Sequence, residues 1–267
     1  MSRDGDENRT AFSVFAFAFA ADWRGRAPDW PDQPAPEASS TPLVTPAGAG
    51  DVAVICQRLD PADYTGDAGE RHLQDLQWLL PRAEYHQSVV SAAAEVGALL
   101  PVRFGTIFSD RAALEAWVEP RNAALADALE SLRGRSEWAI RLLAADRPSG
   151  GDKATAEDSG RSYLLARKSA RDAEGQRHRE LERAADELEK KLASIFVGIT
   201  KLGVRNVDKS LRRADGDTRT VVANWSALAD RDSEVPLTDI EEAARALGLD
   251  VEMTGPWPPY NFCPNFD

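Results

Sequence analysis

Leu99-Leu100-Pro101-Val102-Arg103-Phe104-Gly105-Thr106-Ile107-Phe108-Ser109-Asp110 is the stretch on which the reading of this chain turns. Pro101 fixes its own φ and pushes Leu100 towards an extended conformation, so a preceding helix must end here. Val102, Phe104, Thr106 and Phe108 then alternate with Arg103, Gly105 and Ile107, which is the period of a strand. Ser109 or Asp110 supplies a short side-chain oxygen for the free amides of a following helix. The segment predicts a helix end, a buried strand and a helix start. Arg103 stands out, because a guanidinium on an apolar strand is rarely left unpaired. It should hold an acidic partner or lie at a protein interface. In a buried ion pair, Arg103→Ala should cost about 3–5 kcal/mol.

The rest of the chain bounds what that strand belongs to. At 267 residues it fits one large domain or two small ones, and 43% hydrophobic with 28% charged residues is a globular composition. The net charge of -12 disfavours nucleic acid and anionic membranes, which need clustered cations. Cys56 and Cys263 form no metal-type spacing and read as free thiols of a reducing cytosol. The apolar run over residues 11–21 follows Asp4, Asp6 and Glu7, where a signal peptide carries positive charge. It is also short for a membrane span. The expectation is a cytoplasmic protein.

Phe15, Phe17 and Phe19 alternate with Ala16, Ala18 and Ala20, predicting a strand with a bulky face and a small face that a helix can approach closely. Residues 22–50 carry Pro28, Pro31, Pro34, Pro36, Pro42 and Pro46, and predict a long loop without helix or ladder. A strand is expected over 52–59. Leu73, Leu76, Leu79 and Leu80 have helical spacing over 66–80, and Pro81 restarts a helix towards Leu99. Residues 111–132 predict a helix kinked at Pro120 and closed by Gly134.

A strand follows over 137–144, then a Gly-, Pro- and Ser-rich connection over 147–160. A long helix runs from Tyr163 to about Leu202. Its apolar positions Leu181, Ala185, Leu188, Leu192, Ile195, Ile199 and Leu202 have seam spacing. That seam either packs on its own sheet or projects for another helix. Strands over 219–229 and 249–253 flank a helix over 236–247, stopped by Gly248. The second half reads β-α-β-α-β, and burying one sheet face under its helices gives an α+β sandwich.

No Gly-rich phosphate loop, G-x-S-x-G elbow, H-E-x-x-H or C-x-x-C occurs in the chain. His72, His86 and His178 are scattered, and His86 reads as a packing residue. Asp186 and Glu187 fall on a solvated helix face. This points to an interaction protein. The enzymatic alternative is a small-molecule site assembled from isolated residues such as Arg103 and His86. Prolines and aromatics interleave at Pro256, Trp257, Pro258, Tyr260 and Phe262. Such a tail either docks as an extended strand across its own domain or is presented as a polyproline-type ligand, and its aromatic density favours docking.

Three stretches, in order, resemble the gas vesicle accessory proteins of the GvpF/GvpL family. They are the segment 100–106 with Pro101, Arg103, Phe104 and Gly105, the segment 160–168 with Tyr163, and the segment 254–262. The resemblance covers the chain from about Val52; the first strand has Phe and Ala where the family usually has tyrosines, and the loop over 22–50 is longer. It implies a two-domain α+β protein: an N-terminal domain over 1–135, a C-terminal modified ferredoxin-like domain over 136–255 and a tail over 256–267. It also implies a non-enzymatic assembly factor acting with the hydrophobic shell protein GvpA and other accessory proteins, in the cytoplasm and at the gas vesicle. The alternative is a minor component built into the shell. Neither role calls for a cofactor, a small-molecule substrate, nucleic acid or a membrane.

Overall fold

Alternating apolar residues at the N-terminal end form β1 (Ala11–Phe19), and the strands around it build the first sheet. The computed structural model describes residues 11–24, 26, 28–31, 41–47, 50–145, 160–204, 210–212 and 218–264, and only the backbone of 160–164, 166 and 210–212. The chain divides into two units, residues Met1–Glu137 with Trp257–Asp267, and Trp138–Pro256. No described helix is long and apolar enough to cross a membrane.

In the first unit, β1 lies between β3 (Val52–Leu59) and the short β4 (Leu99–Pro101) and β5 (Ile107–Phe108), and β2 (Leu43–Pro46) pairs with β3. The expectation of no ladder in the proline-rich stretch is thus corrected at β2. It is an edge strand, where proline is tolerated because one side needs no amide donor. The pairing of β1 with β3 shifts between Val14 and Ala16, leaving Phe15 as an extra residue. Phe15 therefore joins Ala16 and Ala18 against Tyr85, Val89, Val90 and Ala93. Phe17 points the other way and stacks on Trp117 at 5.5 Å. The small face admits a helix closely, as the alternation predicts, but the shift splits the bulky one.

Helix α1 (Gly66–His72) ends before Asp75, whose carboxylate accepts from the amides of Gln77 and Trp78 and opens α2 (Leu76–Ala94). The predicted break at Pro81 therefore falls earlier, and Pro81 lies within α2. Leu73, Leu76 and Leu80 have helical spacing, yet are 71%, 68% and 57% exposed. Asp110 caps α3 (Arg111–Val118) through the Ala113 amide at 2.7 Å. A short 3-10 turn containing Pro120 leads into α4 (Asn122–Ser131), as the predicted kink requires.

In the second unit, β6 (Arg135–Ala145) leads to α5 (Gly160–Ile195), β7 (Gly198–Leu202), β8 (Ser210–Arg212), β9 (Thr218–Asp230), α6 (Leu237–Ala246) and β10 (Asp250–Trp257). The sheet order is β10-β6-β9-β7, with β8 also on β9. The long helix stops at Ile195, so Ile199 and Leu202 belong to β7, and with β8 the order gains two strands over the expected β-α-β-α-β. The glycine and β-branched residues over 197–200 favour extended backbone over helix. Ala185, Leu188 and Leu192 pack on Ile140, Leu142, Trp225 and Ala227, so this seam covers its own sheet. Trp225 is fully buried and donates its indole N–H to Glu189 at 3.0 Å.

Candidate functional site

The segment 102–106 is not a strand. β4 ends at Pro101 and β5 begins at Ile107, and Arg103, Phe104 and Gly105 form an exposed turn between them. Local chemistry overrides the alternation. Gly105 takes φ +88°, which side chains disfavour, and Thr106 donates both its amide and its hydroxyl to the Arg103 carbonyl, at 3.2 and 2.8 Å. The turn is pinned on both sides to β1, by Val102 N–H to Phe15 O at 3.0 Å and Val14 N–H to Thr106 O at 2.9 Å. It projects opposite the extra residue Phe15.

Arg103 is exposed, and its guanidinium has no ion pair or hydrogen bond among the described residues. The expected buried pair is corrected: the side chain stands at the surface because its backbone left the sheet. Phe104 is 41% exposed.

Helix α2 supports this turn from within the unit. His86 is buried, with Nε2 3.1 Å from the Val102 carbonyl and its ring 5.2 Å from Phe15 and 5.8 Å from Phe104. With a carbonyl as its partner, Nε2 carries the proton and donates. Burial lowers the His86 pKa below its ordinary value, with the Val102 carbonyl opposing that shift. His86 is the packing and hydrogen-bonding residue the sequence suggests.

The next residue on α2 holds the tail. Gln87 accepts from the Tyr260 hydroxyl at 3.2 Å. Pro258 and Pro259 are buried, and residues Tyr260–Phe262 form a short 3-10 turn. Glu137, itself buried, accepts the Asn261 backbone N–H at 2.8 Å and its side-chain amide through the other oxygen. The Cys263 thiol donates to the Pro259 carbonyl at 3.2 Å. Burial, then the Glu137 charge, pushes that thiol up to about 12. Burial likewise raises the Tyr260 phenol, so both remain protonated donors. The tail docks, but on the first unit and as a turn rather than as a strand across the second.

These two motifs, far apart in sequence, line one surface groove of about 650 Å³. Leu100, Pro101, Val102, Arg103 and Thr106 contribute from the turn and its strand, and Tyr260, Asn261, Cys263 and Pro264 from the tail. Phe17, Phe108 and Trp117 complete it, with Phe108 6.0 Å from the Trp117 ring and Arg121 4.6 Å above it. Of the sequence-predicted residues, Pro101, Arg103 and Tyr260 line this groove. Phe104 and Gly105 lie on the same turn, Phe262 lies in the docked tail, and Pro256 and Trp257 end β10, with Trp257 46% exposed. Tyr163 lies in α5, and its side chain is outside the described residues. Sequence reading missed Gln87, Trp117 and Glu137. Only Glu137 carried a signal, a charge inside an apolar strand pattern. Among the described residues, no group of three or more His, Cys, Asp or Glu is placed to hold a metal.

Residues 26–264 match the family model described as gas vesicle synthesis protein GvpL/GvpF. The chain is 30% identical over 221 residues to gas vesicle protein L of Streptomyces sp. (strain CB03234), covering 80% of each. It is 28% identical over 211 residues to gas vesicle protein L1 of Halobacterium salinarum, covering 71% of each. Its fold is similar to the crystal structure of GvpF from Anabaena sp. PCC7120, with a TM-score of 0.58 at 13% identity over 96% of this chain and 99% of that one. GvpF from Microcystis aeruginosa gives 0.55 at 12% identity, with 96% and 99% covered. A match over residues 26–264, with a relative 30% identical over 80% of each chain, places this chain in the GvpL/GvpF family of gas vesicle proteins.

Proposed function

We propose that this chain is a non-enzymatic assembly factor that binds the hydrophobic shell subunit GvpA, with other accessory proteins, while gas vesicles form in the cytoplasm. Family membership carries this reading, since the matching family is described by vesicle synthesis. The surface is consistent with it. An acidic chain of net charge -12 exposes Leu73, Leu76 and Leu80 where α1 meets α2. A strongly apolar subunit self-associates through its exposed surface, and a charged partner covering that surface keeps it in solution. The turn with Pro101, Arg103, Phe104 and Gly105, the Tyr163 segment and the tail with Pro256, Trp257, Pro258, Tyr260 and Phe262 are read as partner-binding or structural motifs. With the short β8 lying off the main path of the sheet, the remaining β-α-β-β-α-β order of the second unit is read as ferredoxin-like.

The test is capture of the shell subunit by the tagged chain from vesicle-forming cells, with deletion of the gene in parallel. Capture with loss of vesicles supports the reading, and normal vesicles without capture overturn it. Immunolabelling of washed vesicles separates an assembly factor, absent from the shell, from a built-in component.

A further inference from the structure

The groove is cationic in an acidic chain. The net charge is -12, yet Arg103 is the only charged side chain among the described residues that line the groove. Arg121 adds a second cation above the Trp117 ring. The carboxylate that touches a lining residue, Glu137, is buried and engages Asn261 with both oxygens. An anionic group approaching Arg103 therefore meets no carboxylate among the described residues that line the groove. Beside it lie the half-buried Phe108 and Trp117 rings, which offer apolar surface for a side chain next to that anion.

Guanidinium binds carboxylate as a two-pronged planar pair, so a free Arg at such a rim selects for acid over amide.

We propose that this groove binds a segment of a partner protein in which a carboxylate sits next to an aromatic or aliphatic side chain, the carboxylate pairing with Arg103 and the apolar side chain resting on the aromatic rings. The proposal rests on reading the chain as a binding protein, but not on the shell subunit being the partner.

The test uses the full chain and two synthetic probes, acetyl-Ser-Leu-Phe-Asp-Leu-Ser-amide and the same peptide with lysine in place of aspartate. Binding is followed by calorimetry and by amide chemical shifts. The aspartate peptide should bind at least tenfold more tightly and move amides within 100–106 and 260–263. Arg103→Glu, at an exposed position that leaves the fold intact, should reverse the preference. Equal binding of the two peptides, no binding of either, a preference unchanged in Arg103→Glu, or shifts confined to 73–80 overturns the proposal. If the aspartate peptide binds as stated while the shell subunit is never captured, the groove stands and the assembly-factor reading falls.

Discussion

Glu137 and Asn261, 124 positions apart in sequence, are joined by two hydrogen bonds, from the Asn261 backbone N–H and from its side-chain amide. The acceptor is a buried carboxylate, so each bond is charge-assisted. Asn261→Ala removes one of the two and should destabilise the first unit by about 1.5–3 kcal/mol. Chemical denaturation measures that loss. Limited proteolysis should cut the tail of Asn261→Ala faster than that of the parent chain.

Arg103→Ala should change stability by no more than about 0.5 kcal/mol, because an exposed side chain without an ion pair leaves nothing buried and unpaired when truncated. A thermal melt checks this. A drop of several kcal/mol would instead indicate that the guanidinium is buried against an acid.

His86 makes stability depend on pH. Its folded pKa lies below the ordinary value of 6.5, so the unfolded chain binds the proton more readily. Stability from this residue is complete above about 6.5 and declines as pH falls below it. His86→Gln removes this titration, so its melting temperature should fall less than that of the parent chain between pH 7.5 and 5.5. Equal slopes over that range would contradict the assignment.

Trp225→Ala should cost about 3–5 kcal/mol, since it empties a fully buried site between β9 and α5. Trp225→Phe keeps most of the packing but leaves Glu189 without the indole donor, and should cost less. Guanidinium titrations of both variants rank the two effects.

Leu73→Ser with Leu76→Ser and Leu80→Ser should leave the melting temperature nearly unchanged, because these side chains already face solvent. Capture of the shell subunit should weaken if they form part of its contact surface. Unaltered capture would remove this patch from the interface.

Local chemistry explains which elements could be read in advance. Asp110 caps α3, Pro120 marks the kink before α4, and the glycine after α6 takes φ +74° at Gly248. Each acts within a few residues, so spacing suffices to find it. The alternations in β1, β6 and β9 reflect the two sides of a pleated strand and were equally visible. Turn 102–106 was not, because its strand-like alternation competes with Gly105 and the double donation from Thr106, and those bonds form only once β1 holds both flanks. Likewise Leu192 and Ile199 share a seam spacing, yet one packs from a helix and the other lies on β7.

Sequence alone determined the helix caps, the strand periods, the acidic charge and the motif trio of the family. Tertiary structure alone decided that the tail returns to the first unit and meets the Arg103 turn, because that meeting depends on Gln87 and Glu137 arriving at the same place from distant parts of the chain. Short-range order follows from neighbours along the backbone; a groove shared by segments so far apart follows from which surfaces are buried together.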